Sequence, residues 1–97
     1  MKCVHPDLTE SCFPLGHVLI TPGAHEALSA EDVARALARH AVSDWGDLVE
    51  EDEAANDRAV RTGGRLFSTY HSASDVTFWV ITEADRTVTT VLLPLEY

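Results

Sequence analysis

The last third of the chain constrains the fold more than any other feature. Residues 65–71, 76–82 and 87–93 are rich in β-branched and aromatic side chains and begin about 11 residues apart. Short polar segments, Ser72-Ala73-Ser74-Asp75 and Glu83-Ala84-Asp85-Arg86, separate them. That rhythm predicts an antiparallel meander. The middle run, Val76-Thr77-Phe78-Trp79-Val80-Ile81-Thr82, is apolar on both faces, which suits a central strand covered on at least one side. Pro94 stops the third run, because proline cannot donate to a ladder.

Helical signals precede the meander. Thr21-Pro22-Gly23 reads as an N-cap followed by proline at the first helical position, opening a short helix to about residue 28. Ser29 opens a second, over about 30–41, with Asp32 at the capping-box distance and Glu31 favouring the N-terminal dipole. Its apolar stripe is Val33, Leu37 and Ala41, with Ala34 and Ala38 beside it, while Glu31, Arg35 and Arg39 line another face. Residues 43–47 form a turn around Gly46, and Trp45 is expected to plug the seam between helices. A third helix, about 50–61, ends at Gly63-Gly64 and offers a thin face of Ala55, Ala59 and Thr62.

Residues 1–16, interrupted by Pro6, Pro14 and Gly16, read as an N-terminal arm, and 17–97 as a single domain. The expected class is α+β. Two or three helices pack on a three-stranded antiparallel meander, four-stranded if His17–Ile20 joins it. A 97-residue chain that is 45% hydrophobic and 24% charged can bury one core without staples. It contains no apolar run near the roughly 18 residues that span a bilayer. Residues 1–11 lack the basic and apolar regions of a signal peptide, so a cytoplasmic location is expected.

Charge narrows the function classes. Sixteen carboxylates against seven Lys and Arg, six of them arginine, give a net charge of −9. Phosphate backbones and anionic membranes repel such a chain, whereas basic protein surfaces attract it. The charge is concentrated. Asp44, Asp47, Glu50, Glu51, Asp52, Glu53 and Asp57 fall within one stretch that no cation interrupts. Glu50, Glu53 and Asp57 share a helix face, with successive carboxylates about 5–6 Å apart. A helix start accepts acids through its dipole, so the cluster is either a solvated helix N-terminus or a partner-binding face.

Two further sets of residues invite chemistry. Cys3, His5, Cys12 and His17 could supply four zinc ligands, although their spacing matches no familiar knuckle. In a reducing compartment the two cysteines would otherwise stay thiols, and no cofactor is expected. A helix followed by a meander is also the plan of small metal-independent ribonucleases. Such chemistry needs a base, an acid and a cation, and the candidates here are His40, Arg65, Tyr70 and His71, with Thr87, Thr89 or Thr90 on another strand; His40, Arg65 and His71 are the set carried forward. Alternation puts Arg65, Phe67, Thr69 and His71 on one sheet face and Tyr70 on the other.

Phe13-Pro14-Leu15-Gly16, Asp44-Trp45-Gly46, Gly64-Arg65, Ile81-Thr82-Glu83-Ala84-Asp85-Arg86 and Thr89-Thr90-Val91-Leu92-Leu93-Pro94 give the chain a further context. On these residues it resembles a family of small bacterial proteins carried on plasmids and prophages. The resemblance begins near Phe13 and assigns no site residue. It implies a mobile-element setting, in which small acidic proteins inhibit host defence enzymes as anti-CRISPR or anti-restriction DNA mimics. The expected function is therefore a non-enzymatic phage or mobile-element inhibitor. Asp44, Asp47, Glu50, Glu51, Glu53 and Asp57 would face a basic surface of a nucleic-acid-handling host defence complex, without direct contact to nucleic acid or membrane. The alternative is a toxin-like ribonuclease using His40, Arg65 and His71.

Overall fold

The structure is a computed structural model and describes residues 11–97. The elements run β1 (His17–Ile20), α1 (Pro22–Ala27), α2 (Ala30–Ala41), α3 (Glu50–Thr62), β2 (Leu66–His71), β3 (Thr77–Thr82) and β4 (Val88–Leu92), then a single 3-10 turn at Pro94–Glu96. Strand order across the sheet is β1-β4-β3-β2. The meander forms as its spacing predicts: β2 pairs antiparallel with β3, and β3 with β4. The fold is α+β, three helices with a four-stranded sheet.

The first strand differs from expectation. It joins the sheet, but parallel to β4, so the sheet is mixed and not wholly antiparallel. The reason is connectivity. Between β1 and β4 lie all three helices and two strands, so no hairpin imposes an antiparallel return. Gly16 makes the entry possible. Its φ is +67°, and a Cβ there would sit 2.3 Å from the Thr87 carbonyl oxygen.

Both predicted caps form. The Thr21 hydroxyl accepts from the Ala24 N–H at 3.3 Å and the Ser29 hydroxyl from the Asp32 N–H at 3.1 Å. Helices α1 and α2 cover one sheet face, where Ala24, Leu28 and Ala36 meet Tyr70, Phe78, Val80 and Val91. A second cluster joins Phe13, Trp45 and Leu66, with Leu48, Ala59 and Val60 packed against it. Trp45 is fully buried, as a seam plug should be. Phe13 is buried too, so residues 11–16 belong to the packed body.

The expected α2 stripe packs inward, with Ala41 buried and Val33 and Leu37 half-buried against the core, but the buried face also takes in Asp32, Ala36 and His40, while Ala34 and Ala38 are exposed. Ala36 lets the helix approach the sheet, and His40 is drawn inward by hydroxyls below it. On α3 the buried residue is Asn56, and Ala55 faces solvent. Asn56 behaves like a piece of strand. Its Nδ2 donates to the Phe67 carbonyl at 2.6 Å, and its Oδ1 accepts from the Phe67 N–H at 3.2 Å. Two residues on, the Thr69 N–H donates to the Trp45 carbonyl at 3.1 Å, and the Thr69 carbonyl accepts from the Asp47 N–H at 2.8 Å. The outer edge of β2 is thereby satisfied without another strand.

At the other end of α3, Gly63 adopts φ +92° and closes the helix. Arg86, itself at φ +63°, sends Nη2 to the Ala59 carbonyl at 2.9 Å and Nη1 to the Gly64 carbonyl at 2.6 Å. A cation on the last carbonyls also opposes the negative end of the helix dipole. The β3–β4 turn thus clamps α3 to the sheet.

Replacing Asn56 by Ala should cost about 1–2 kcal/mol, the loss of two hydrogen bonds less a small helix-propensity gain. In a domain of this size that lowers Tm by roughly 5–10 °C. An unchanged thermal midpoint would show that the Asn56 bridge contributes nothing to holding α3 on the edge.

Candidate functional site

His40 lies at the centre of the molecule. It is fully buried, between Phe13 and Trp45, with ring centroids 5.4 and 5.5 Å away in edge-on geometry. Its Nδ1 is 2.6 Å from Ser68 Oγ and its Nε2 is 2.8 Å from Thr82 Oγ1. Thr82 Oγ1 is 2.7 Å from Thr89 Oγ1, which donates to the Leu15 carbonyl at 2.7 Å. All three hydroxyl residues are fully buried.

Proton positions follow by elimination along this chain. The Thr89 hydrogen is committed to a carbonyl, which can only accept. Thr82 must then donate to Thr89, so Thr82 accepts from His40 Nε2–H. The imidazole is therefore the Nε2–H tautomer, and Nδ1 accepts from the Ser68 hydroxyl. Every polar atom in the relay has a partner, which dry surroundings require. Burial, and secondarily the Arg86 charge, pushes the His40 pKa down to about 3. At neutral pH this histidine is uncharged.

The three residues of the ribonuclease alternative do not converge. His40 is on α2, between that helix and the face of the sheet that it covers. Arg65 and His71 share the opposite face, as alternation predicts, but flank β2 about 20 Å apart. Each is occupied locally. Arg65 Nη1 donates to Tyr97 Oη at 2.8 Å, and its Nε lies 3.5 Å from Glu83. His71 Nε2 lies 2.7 Å from Asp47 Oδ2.

The zinc candidates fare similarly. Cys3 and His5 lie outside the described residues. Cys12 is disulfide-bonded, so it is neither the expected thiol nor an available thiolate ligand. His17 is exposed on β1. Among the described residues no His, Cys, Asp and Glu cluster could hold a metal ion. Nor is any helix there long and apolar enough to cross a membrane.

The acidic stretch divides in two. Asp44 is bound by Arg39, whose Nε and Nη2 reach its two carboxylate oxygens at 2.8 and 3.1 Å. Its backbone carbonyl accepts from the Tyr70 hydroxyl. Asp57 accepts from Trp45 Nε1–H at 3.0 Å. Asp47 faces His71. These three carboxylates hold the 44–47 segment against α2, α3 and β2. The face shared by Glu50, Glu53 and Asp57 is consequently the one turned toward the body, with Glu53 and Asp57 half-buried beside Asn56.

Glu50, Glu51 and Asp52 are exposed. No ion pair or side-chain hydrogen bond engages them or Glu53 among the described residues. The Val49 N-cap supplies no side-chain acceptor, so these acids also serve the dipole at an otherwise uncapped start. The arginines are placed elsewhere: Arg35 beside Glu31 and Asp32, Arg39 on Asp44, Arg65 on Tyr97 and Glu83, Arg86 on carbonyls. Arg61 reaches the Asp57 backbone carbonyl, at 3.4 Å.

Sequence reasoning missed Ser68, Thr82 and Thr89 as a group. Part of the signal was present: Ser68 lies between Leu66 and Tyr70 on the inward face of β2, but the opposition of Thr82 and Thr89 depends on the β3–β4 register.

His40 makes stability pH-dependent with a definite sign. Its folded pKa lies below the unfolded value of about 6.5, so the unfolded chain binds the extra proton. Stability should be complete above pH 6.5 and fall by about 1.4 kcal/mol per unit toward pH 3. The carboxylates held low, Asp32 by the Ser29 hydroxyl, Asp85 by the Thr87 hydroxyl and Glu96 by the Thr21 hydroxyl, lose their contribution as pH falls below the ordinary carboxylate range, in wild type and variant alike. Urea denaturation of wild type and His40→Gln between pH 7 and 4.5 should show wild type losing the larger amount. Parallel profiles would contradict the buried neutral imidazole.

Comparison of the chain with protein-family models, with curated proteins and with solved structures finds no match.

Proposed function

We propose that this chain is a non-enzymatic binding module that presents the start of α3 to a basic surface of a nucleic-acid-handling protein. The observation that carries the reading is the allocation of charge. The exposed carboxylates of Glu50, Glu51 and Asp52 have no cationic partner within the described residues, while five of the six arginines are engaged at other places. Their charges are three of the sixteen carboxylates behind the net charge of −9, and they are directed outward.

The rest of the stretch has a supporting role in this reading. Asp44 and Asp57 fasten the 44–47 segment, which fixes where α3 begins and so where the free carboxylates point. Carboxylates on three consecutive residues of a helix start fan outward around it and can meet arginine and lysine side chains that otherwise grip phosphates. Exposed charges attract within a Debye length of about 8–10 Å at physiological ionic strength, so the module would associate quickly and lose affinity as salt rises. The mobile-element setting implied by the resemblance narrows the partner to a host defence complex, as an anti-CRISPR or anti-restriction inhibitor of the DNA-mimic type. A toxin-like ribonuclease draws no support from the placement of His40.

The test uses isosteric neutralisation at the outermost positions: Glu50→Gln, Glu51→Gln and Asp52→Asn together. Each loses a dipole interaction of about 0.3–1 kcal/mol, so the fold should survive. Tagged wild type and the triple variant are used for capture from a bacterial lysate, and protection of a plasmid against CRISPR and restriction interference is measured in parallel. Wild type should capture a basic nucleic-acid-binding complex, release it on raising salt, and protect the plasmid, whereas the variant should do none of these. Equal capture or protection by a folded triple variant would contradict the proposal.

A further inference from the structure

The two edges of the sheet are treated differently. That of β2 is covered by Asn56 and by the backbone of Trp45 and Asp47. Along β1 the inward-pointing amides belong to odd positions: the His17 N–H donates to the Thr87 carbonyl at 2.9 Å and the Thr21 N–H to the Val91 carbonyl at 3.0 Å. Strand alternation then directs the N–H and C=O of Val18 and Ile20 away from the sheet. Among the described residues neither has a hydrogen-bond partner on that side. Val18, Leu19 and Ile20 are 40%, 53% and 39% exposed.

Natural edge strands are protected by charge, proline or a bulge. This one is not. Residues 11–25 contain no Asp, Glu, Lys or Arg, in a chain whose net charge is −9. Two such acidic molecules repel at almost every approach, and a charge-free edge is the surface where that repulsion is least. Beside the strand, Ile20, Leu28, Val33, Ala34 and Leu37 line an apolar groove of about 310 Å³ between the sheet edge and helices α1 and α2.

We infer that the partner for this edge is a second copy of the same chain, joined β1 to β1 across a two-fold axis. A two-fold makes the pairing antiparallel and self-complementary. The outward groups fix its register. Val18 must form the doubly hydrogen-bonded pair with Ile20 of the other copy, and Ile20 with its Val18, which gives four new hydrogen bonds. The axis then passes between the two Leu19 residues, which meet at a non-hydrogen-bonded site with Cα atoms about 4.5 Å apart. The β1 edges would meet at the centre of a continuous sheet, leaving both acidic helix starts at its far ends. The inference uses a different surface from the proposed partner face and does not depend on it.

Sedimentation equilibrium of the full chain, from roughly 1 to 500 μM, should show a monomer–dimer equilibrium, as a small interface predicts. Two variants locate it. Val18→Pro removes an outward N–H that no strand uses, so the monomer should fold while dimerisation is lost. Leu19→Asp places two carboxylates face to face at the axis and should also yield monomer at every concentration. The inference is overturned if wild type is monomeric throughout, which would leave the edge to residues 1–10 or to another protein. A dimer that persists in both folded variants would overturn it equally.

Discussion

The packing of this domain depends on satisfying one buried imidazole. His40 connects α2 to β2 through Ser68, to β3 through Thr82, and onward through Thr89 to the carbonyl of Leu15. Five segments of the chain, from Leu15 to β4, therefore agree on one arrangement of protons. Leaving a buried donor or acceptor without its partner costs about 1–3 kcal/mol, so a displaced α2 or a slipped β3 carries a penalty beyond lost apolar contact. Phe13 and Trp45 close over the ring and exclude the water that could replace a missing partner. The same dry surroundings keep the imidazole neutral and remove it from surface chemistry.

Around that centre, charge is used in two ways. Asp44, Asp57 and Arg86 bind groups of their own chain: a guanidinium, an indole N–H and the final carbonyls of a helix. They place α3 along the β2 edge with a fixed starting point. The first turn of α3 then carries carboxylates that the rest of the described chain leaves unpaired. Position and availability of charge are thus separate properties here, provided by different residues of one acidic stretch.

Features that depend on neighbouring residues were legible in the sequence. The meander, both serine and threonine caps, the αL close at Gly63 and the burial of Trp45 follow from period, cap chemistry and turn composition. Features that depend on distant pairing were not. Nothing local distinguishes a parallel from an antiparallel partner for His17–Ile20. Asn56 reads as a neutral helix residue until an unpaired strand edge lies beside it. Apolar side chains place Val33 and Leu37 on the packed face of α2, as found, but the burial of His40 on that face depends on hydroxyls from three distant strands. For the acidic stretch, sequence gives its density but not its division, because the partners of Asp44, Asp47 and Asp57 come from α2, β2 and the turn before α3.

His40 is a neutral, fully partnered core group, and the free chemistry of the molecule is left at its surface. Nitrogen-15 NMR of the imidazole across pH 8 to 4 measures this directly. The account predicts a slowly exchanging Nε2–H, an unprotonated Nδ1 accepting a hydrogen bond, and shifts that stay constant through pH 6.5. An Nδ1–H tautomer, or a titration centred near pH 6.5, would contradict it.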